Sequence, residues 1–128
     1  MSGRSFYLAA ASANVEQAKA RISDLESMGW ECAYHWPNVM EAMLPLAECN
    51  GNAQHVAVNE VYEATAARMF VALAPVSEGV AVEIGARLGT GGFVEIVGEW
   101  GHVPFASHCR VRHHASWEFF VASLEGAK

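Results

Sequence analysis

The sequence holds a single aspartate, Asp24, and only eight basic residues in 128. The other thirteen acids are glutamates, so any carboxylate that performs chemistry is expected to be a glutamate. The basic residues are scattered, with only Arg110 and Arg112 close together, and the net charge is -6. That balance argues against a nucleic-acid polymer as partner, because neutralising phosphates takes clusters of Lys and Arg. Cysteine is scarce as well: Cys32, Cys49 and Cys109 are odd in number and far apart, which fits a reducing compartment better than a disulfide framework. There is no Cys-x-x-Cys and no His-x-x-x-His. The adjacent pairs His108-Cys109 and His113-His114 would point to opposite faces of a strand, so no metal site is expected. No apolar run approaches the ~18 residues of a membrane span, and no signal-peptide pattern precedes the first strand. A cytoplasmic protein with no membrane partner is the expectation.

Hydrophobic residues, at 52%, are abundant enough for one well-packed core. A single domain over residues 1–128 is therefore expected. Ser5–Ala10 reads as a short buried strand. Asn14 with Gln17 three residues on has the form of a capping box. Ala18, Ile22, Leu25 and Met28 then fall at helical spacing, and Gly29 supplies a stop. Trp30–Tyr34 reads as a second strand ending at His35-Trp36-Pro37. Asn38–Gln54, with Pro45 and Gly51, reads as a long loop or lid bordering the site. Helices are expected over Val56–Ala67 and Val80–Leu88, and strands over Met69–Ala74, Phe93–Val97 and Phe105–Val111. Ser116 is placed to cap a last helix carrying Trp117, Phe120, Val121 and Leu124. The alternation predicts an α/β fold, a mainly parallel five-stranded sheet with helices on both faces. Gly89-Thr90-Gly91-Gly92 follows a helix and precedes a strand, so it reads as helix termination. A phosphate loop runs from strand to helix instead.

The segment Ser77–Gly85 carries the most chemical information. Glu83 falls about one turn into a helix that begins past the end of a buried strand, the place where open α/β sheets bind ligands. Its neighbours Val80, Ala81, Val82 and Ile84 are apolar and do nothing to solvate a carboxylate. The plain alternative is a surface glutamate favoured by the helix dipole.

Several segments together resemble the nucleoside 2-deoxyribosyltransferase superfamily, which includes the nucleoside 5'-monophosphate N-glycosidases. Phe6-Tyr7-Leu8-Ala9 is similar to the opening strand with its tyrosine, and Asn59-Glu60 to an Asn-Asp pair. Met69–Leu73 looks like the third strand, and Ser77–Gly85 like the nucleophile motif. Arg112–Leu124, with Ser116-Trp117-Glu118, looks like the closing strand and helix. The resemblance covers most of the chain and implies a flavodoxin-like, doubly wound domain. It implies cleavage or transfer at the N-glycosidic bond of a 2'-deoxynucleoside or its 5'-monophosphate, through a deoxyribosyl-glutamate intermediate. No cofactor is implied. A homo-oligomer is implied, whose sites are completed by a neighbouring copy; the expected apolar surface is on the last helix.

Residue by residue, the resemblance implies Glu83 as nucleophile and Tyr7 as its hydrogen-bonding orienter. Glu60 and Asn59 become polar groups toward base or sugar, and Ser77, with Gly79, the contact on the 5' side. Each has a plainer alternative: a core aromatic for Tyr7, a solvated helix-start acid for Glu60, turn chemistry for Ser77. His35 and Trp36 are placed at the crevice edge, where Trp36 could stack on a base or simply pack. Glu60 is one methylene longer than the family's aspartate, Glu78 would repel a phosphate, and Ala10 and Ala11 stand where glycine is frequent. These departures sustain an alternative of another class, a non-catalytic nucleotide-binding or sensing module on the same fold.

Overall fold

The computed structural model describes residues 3–43, 50–101 and 104–126. Five strands form one sheet: β1 (Ser5–Ala9), β2 (Glu31–Cys32), β3 (Met69–Leu73), β4 (Val94–Val97) and β5 (Val111–His114). Their order is β2-β1-β3-β4-β5 and all four pairings are parallel. The helices are α1 (Val15–Ser27), α2 (Trp36–Met43), α3 (Asn50–Ala66), α4 (Glu78–Gly89) and α5 (Trp117–Gly126). This is the flavodoxin-like α/β arrangement.

Burial explains the strands. All five residues of β3 and all four of β4 are buried, as strands covered on both faces require. In β1, Tyr7 stands beside Phe70 with ring centroids 5.9 Å apart. Phe6 and Leu8 point to the other face and are equally buried. Helix α1 adds Ala18, Ile22 and Leu25 to the core, and its Arg21 lies over the Trp117 ring of α5. Helices α3 and α4 pack against each other. Gly29 ends α1 with φ +94°, a conformation that glycine adopts without strain. Gly98, at φ +99°, ends β4 where a Cβ would come within 2.7 Å of the Ala74 Cβ.

Several expectations are corrected. Asn14 does not cap α1: a 3-10 turn over Ser12–Asn14 precedes the helix and leaves Asn14 at φ -105°, ψ 33°, away from the extended geometry a capping side chain needs. The second strand shrinks to two residues. The expected loop over Asn38–Gln54 is largely helical, since α2 runs to Met43 and α3 begins at Asn50; residues 44–49 lie outside the described residues. Helix α2 forms because Trp36 is anchored, its indole N–H donating to the Leu8 carbonyl at 2.8 Å. Pro37 suits a first helical turn, where its missing N–H costs nothing. The fifth strand is Val111–His114, whereas Phe105–Ser107 is a 3-10 turn. The strand forms there because Arg112 and His114 reach the β4 carboxylate of Glu95.

A buried arginine closes the lower end of α3. Arg87 of α4 donates to the carbonyls of Ala64, Thr65, Ala67 and Arg68, and to that of Phe93. Carbonyls at a helix C-terminus have no intrahelical partner and carry the negative end of the dipole, so this guanidinium satisfies them directly. Among the described residues, no helix is long and apolar enough to cross a membrane.

Candidate active site

The sheet order reverses between β1 and β3: the chain moves outward from β1 to β2, then returns to place β3 on the other side. Ligands bind at such switch points, outside the carboxyl ends of the strands. Helix α4 starts there. Its N-cap is Ser77, whose hydroxyl accepts the Val80 N–H at 3.3 Å. Glu83 follows one and a half turns later, on the flank that faces β1.

Glu83 is 7% exposed. The Tyr7 hydroxyl donates to its Oε2 at 2.6 Å, joining residues 76 apart in sequence. Burial pushes the Glu83 carboxyl up to about 7; the nearby Glu60 carboxylate pushes the same way, and the Tyr7 hydrogen bond opposes both. Burial, and then the charges of Glu83 and Glu60, drive Tyr7 far above the usual phenol range. Tyr7 therefore stays protonated and remains a donor. Among the described residues no cation forms an ion pair with Glu83. The outcome is a buried carboxyl group raised to about 7 and held by one neutral donor. That is the condition of a poised nucleophile or proton acceptor.

Glu60 is half-buried on α3, and burial raises its pKa too. Asn59, beside it, hydrogen-bonds the Tyr34 side chain. Tyr34 itself is pushed up by burial and by Glu60. The sequence reading missed Tyr34, although it closes the second apolar run, where a strand end meets the crevice. Tyr7, Glu83, Glu60, Asn59 and Tyr34 thus form one electrostatically connected group.

The structure places the other expected residues around the start of α2 and of α4. Trp36 is 2% exposed and its indole N–H donates to the Leu8 carbonyl, so of its two readings the structure favours packing. His35 is half-buried ahead of α2, with Nδ1 accepting the Asn38 N–H at 3.3 Å; it serves as that helix's N-terminal acceptor. Gly79 is exposed in the first turn of α4. Ser77 opens on an apolar cavity of about 420 Å³ along the other flank of α4, between Ile84, Leu88, Trp100 and Phe105. Among the described residues, no group of three or more His, Cys, Asp or Glu gathers to hold a metal ion.

The solved structure of a CMP N-glycosidase from Clostridium botulinum shares this fold. It aligns over 97% of this chain and 99% of its own, with a TM-score of 0.60 and 20% sequence identity. No protein-family model matches the sequence, and no curated protein matches it.

Proposed function

We propose that the protein cleaves or exchanges the N-glycosidic bond of a nucleoside or nucleoside 5'-monophosphate, with Glu83 as nucleophile. The observation that carries this reading is the buried Tyr7–Glu83 pair at the switch point, with a carboxyl group that ionises at about 7. The shared fold with a CMP N-glycosidase supports it.

In the first step an ionised Glu83 oxygen attacks C1' of the sugar. The C1'–O bond forms as the C1'–N bond breaks, and the base leaves with the bonding electrons and takes up a proton. We assign Glu60, half-buried on α3 with its pKa raised by burial, to pass that proton to the base. In the second step water, or an incoming base, attacks C1', gives up its proton to the Glu60 carboxylate and releases the Glu83 carboxylate. Two displacements through a covalent ester replace one difficult displacement. Tyr7 fixes which carboxylate oxygen is free to attack. We favour a 2'-deoxyribosyl substrate. The Ser77 hydroxyl, already an acceptor for Val80, has its proton left to donate to the 5' substituent.

The apolar residues Val58, Val61 and Tyr62 of α3 and Val82 of α4 are exposed on neighbouring helices beside the site. On the last helix, by contrast, Phe119 alone among the large apolar side chains is strongly exposed. We propose that a second copy covers the α3–α4 face, so that the working form is a homo-oligomer; sedimentation at micromolar concentration checks this, and a monomer contradicts it.

The test is incubation with pooled nucleosides, deoxynucleosides and their monophosphates, with chromatography for free base. Release of base supports the enzyme. Saturable nucleotide binding without release from any of them supports the non-catalytic binding module in its place.

A further inference from the structure

The six arginines are dispersed along the sequence, yet four of them, Arg4, Arg68, Arg87 and Arg112, line a single cavity of about 560 Å³. The fold explains how. Arg4 precedes β1, Arg68 precedes β3, Arg112 lies early in β5, and Arg87 sits in the last turn of α4. All of these positions converge on the amino-terminal edge of the parallel sheet, opposite the edge that holds Tyr7 and Glu83. Four positive charges here face one lining carboxylate, Glu95, in a chain whose net charge is -6. The rest of the molecule is correspondingly more acidic, so this cavity is the focus of its positive potential.

The groups are held in place. Arg87 is buried, with its N–H groups spent on backbone carbonyls, so it contributes charge and a fixed wall. Arg68 is exposed, but its backbone is pinned on both sides: its N–H donates to the Ser5 hydroxyl and its carbonyl accepts from Arg87. Arg112 donates Nε to Glu95 at 2.8 Å and is 58% exposed. A guanidinium has five N–H donors, and this bond takes one. Two aromatic walls brace the cations, with Arg4 5.7 Å from the Trp30 ring centroid and Arg112 4.6 Å from that of Phe93. Guanidinium forks match the oxygen geometry of phosphates. The volume falls in the range of small-molecule sites and exceeds what a bare phosphate fills.

We infer that this cavity is a second ligand site, separate from the proposed active site, which binds a small organic phosphate. The inference does not depend on the enzymatic reading.

The experiment is calorimetric titration of the full chain with inorganic pyrophosphate at low ionic strength. Pyrophosphate lacks a sugar and a base, so it isolates phosphate recognition. One saturable site is expected, weakening as salt is added. Arg68→Gln and Arg112→Gln should each weaken binding about tenfold, whereas Lys19→Gln, which removes a positive charge elsewhere, should not. Arg112→Gln also breaks the bond to Glu95 and could disturb the fold; Arg68 is exposed, so its variant decides the matter if circular dichroism shows Arg112→Gln to be altered. Absence of saturable heat up to about 10 mM pyrophosphate overturns the proposal. Undiminished binding in Arg68→Gln overturns it too, as does loss of binding in Ser77→Ala, which would put the anion at the start of α4. Tighter binding of citrate than of pyrophosphate would overturn the assignment to phosphates.

Discussion

Two glutamates are buried in this molecule to nearly the same degree, Glu83 at 7% exposure and Glu95 at 8%, and they are treated in opposite ways. Glu95 lies mid-strand in β4, in register with Val71 and Arg112. Arg112 Nε and His114 Nε2 each approach one of its oxygens at 2.8 Å. Glu83 lies across the sheet, on the face of Tyr7 and Phe70. Its partner among the described residues is a neutral phenol, and its electrostatic neighbour is another carboxylate, Glu60. A buried carboxylate paired with a cation recovers much of its desolvation cost. One held only by a phenol does not, and its pKa rises instead. The fold thus neutralises the glutamate that ties β4 to β5 and leaves the one at the switch point chemically poised.

The largest expected effect separates the two residues by function. Glu83→Gln should lower base release by about a thousandfold or more, measured chromatographically, since the amide cannot form the ester. Stability should separate them by sign. The Glu83 carboxyl is raised from 4.5 to about 7, so the native state holds this proton more tightly than the unfolded chain. Stability from this group is therefore present below pH 4.5, falls as pH rises from 4.5 to 7, and is fully lost above 7. At pH 8 Glu83→Gln should be more stable than the parent, by at most about 3 kcal/mol, and the gap should close near pH 4.5. Glu95→Gln should instead lose about 1–3 kcal/mol, because charge-assisted bonds to Arg112 and His114 are weakened. Urea unfolding at both pH values checks the pair.

Tyr7→Phe comes next in size. It removes the one interaction that lowers the Glu83 pKa, so the acid limb of kcat/KM, expected near pH 7 in the parent, should move to higher pH. The activity loss at neutrality should be about ten- to a hundredfold. A limb that stays in place would mean that Tyr7 is only packing. The smallest effect belongs to Ser77→Ala. If its hydroxyl meets a 5'-phosphate, KM for monophosphates should rise about tenfold while nucleosides are nearly untouched. Loss of the helix cap should cost about 1 kcal/mol of stability with either substrate.

What the sequence made legible follows the same contrast. Strands β1, β3 and β4 are apolar because both their faces are covered, so composition alone marks them. Helix α4 and the position of Glu83 follow from the strand before it and the Gly-rich stop after it. The hydrophobic pattern misplaced the fifth strand because Val111–His114 is mostly polar and its place depends on Glu95, distant in sequence; the family resemblance put the closing strand from Arg112 onward. Helix α2 was read as loop because its anchor is Trp36 on the Leu8 carbonyl, a tertiary contact. The same contact favours packing as the reading of Trp36. Tyr7 and Glu83 are 76 residues apart, and no local spacing links them; the family resemblance suggested the pair, and the geometry supplies its distance. Tyr34 and the arginine-lined cavity were missed for a related reason. A parallel sheet gathers at one edge residues that each precede or follow a different strand, and dispersed positions in the sequence read as scatter.

The proposed covalent bond between Glu83 and the sugar is measured directly by mass spectrometry of the protein quenched in acid during turnover. A substrate found by base release should leave a glycosyl adduct on the peptide containing Glu83, present in the parent and in Tyr7→Phe and missing in Glu83→Gln. An adduct on another residue, or base release that continues undiminished in Glu83→Gln, would contradict the account.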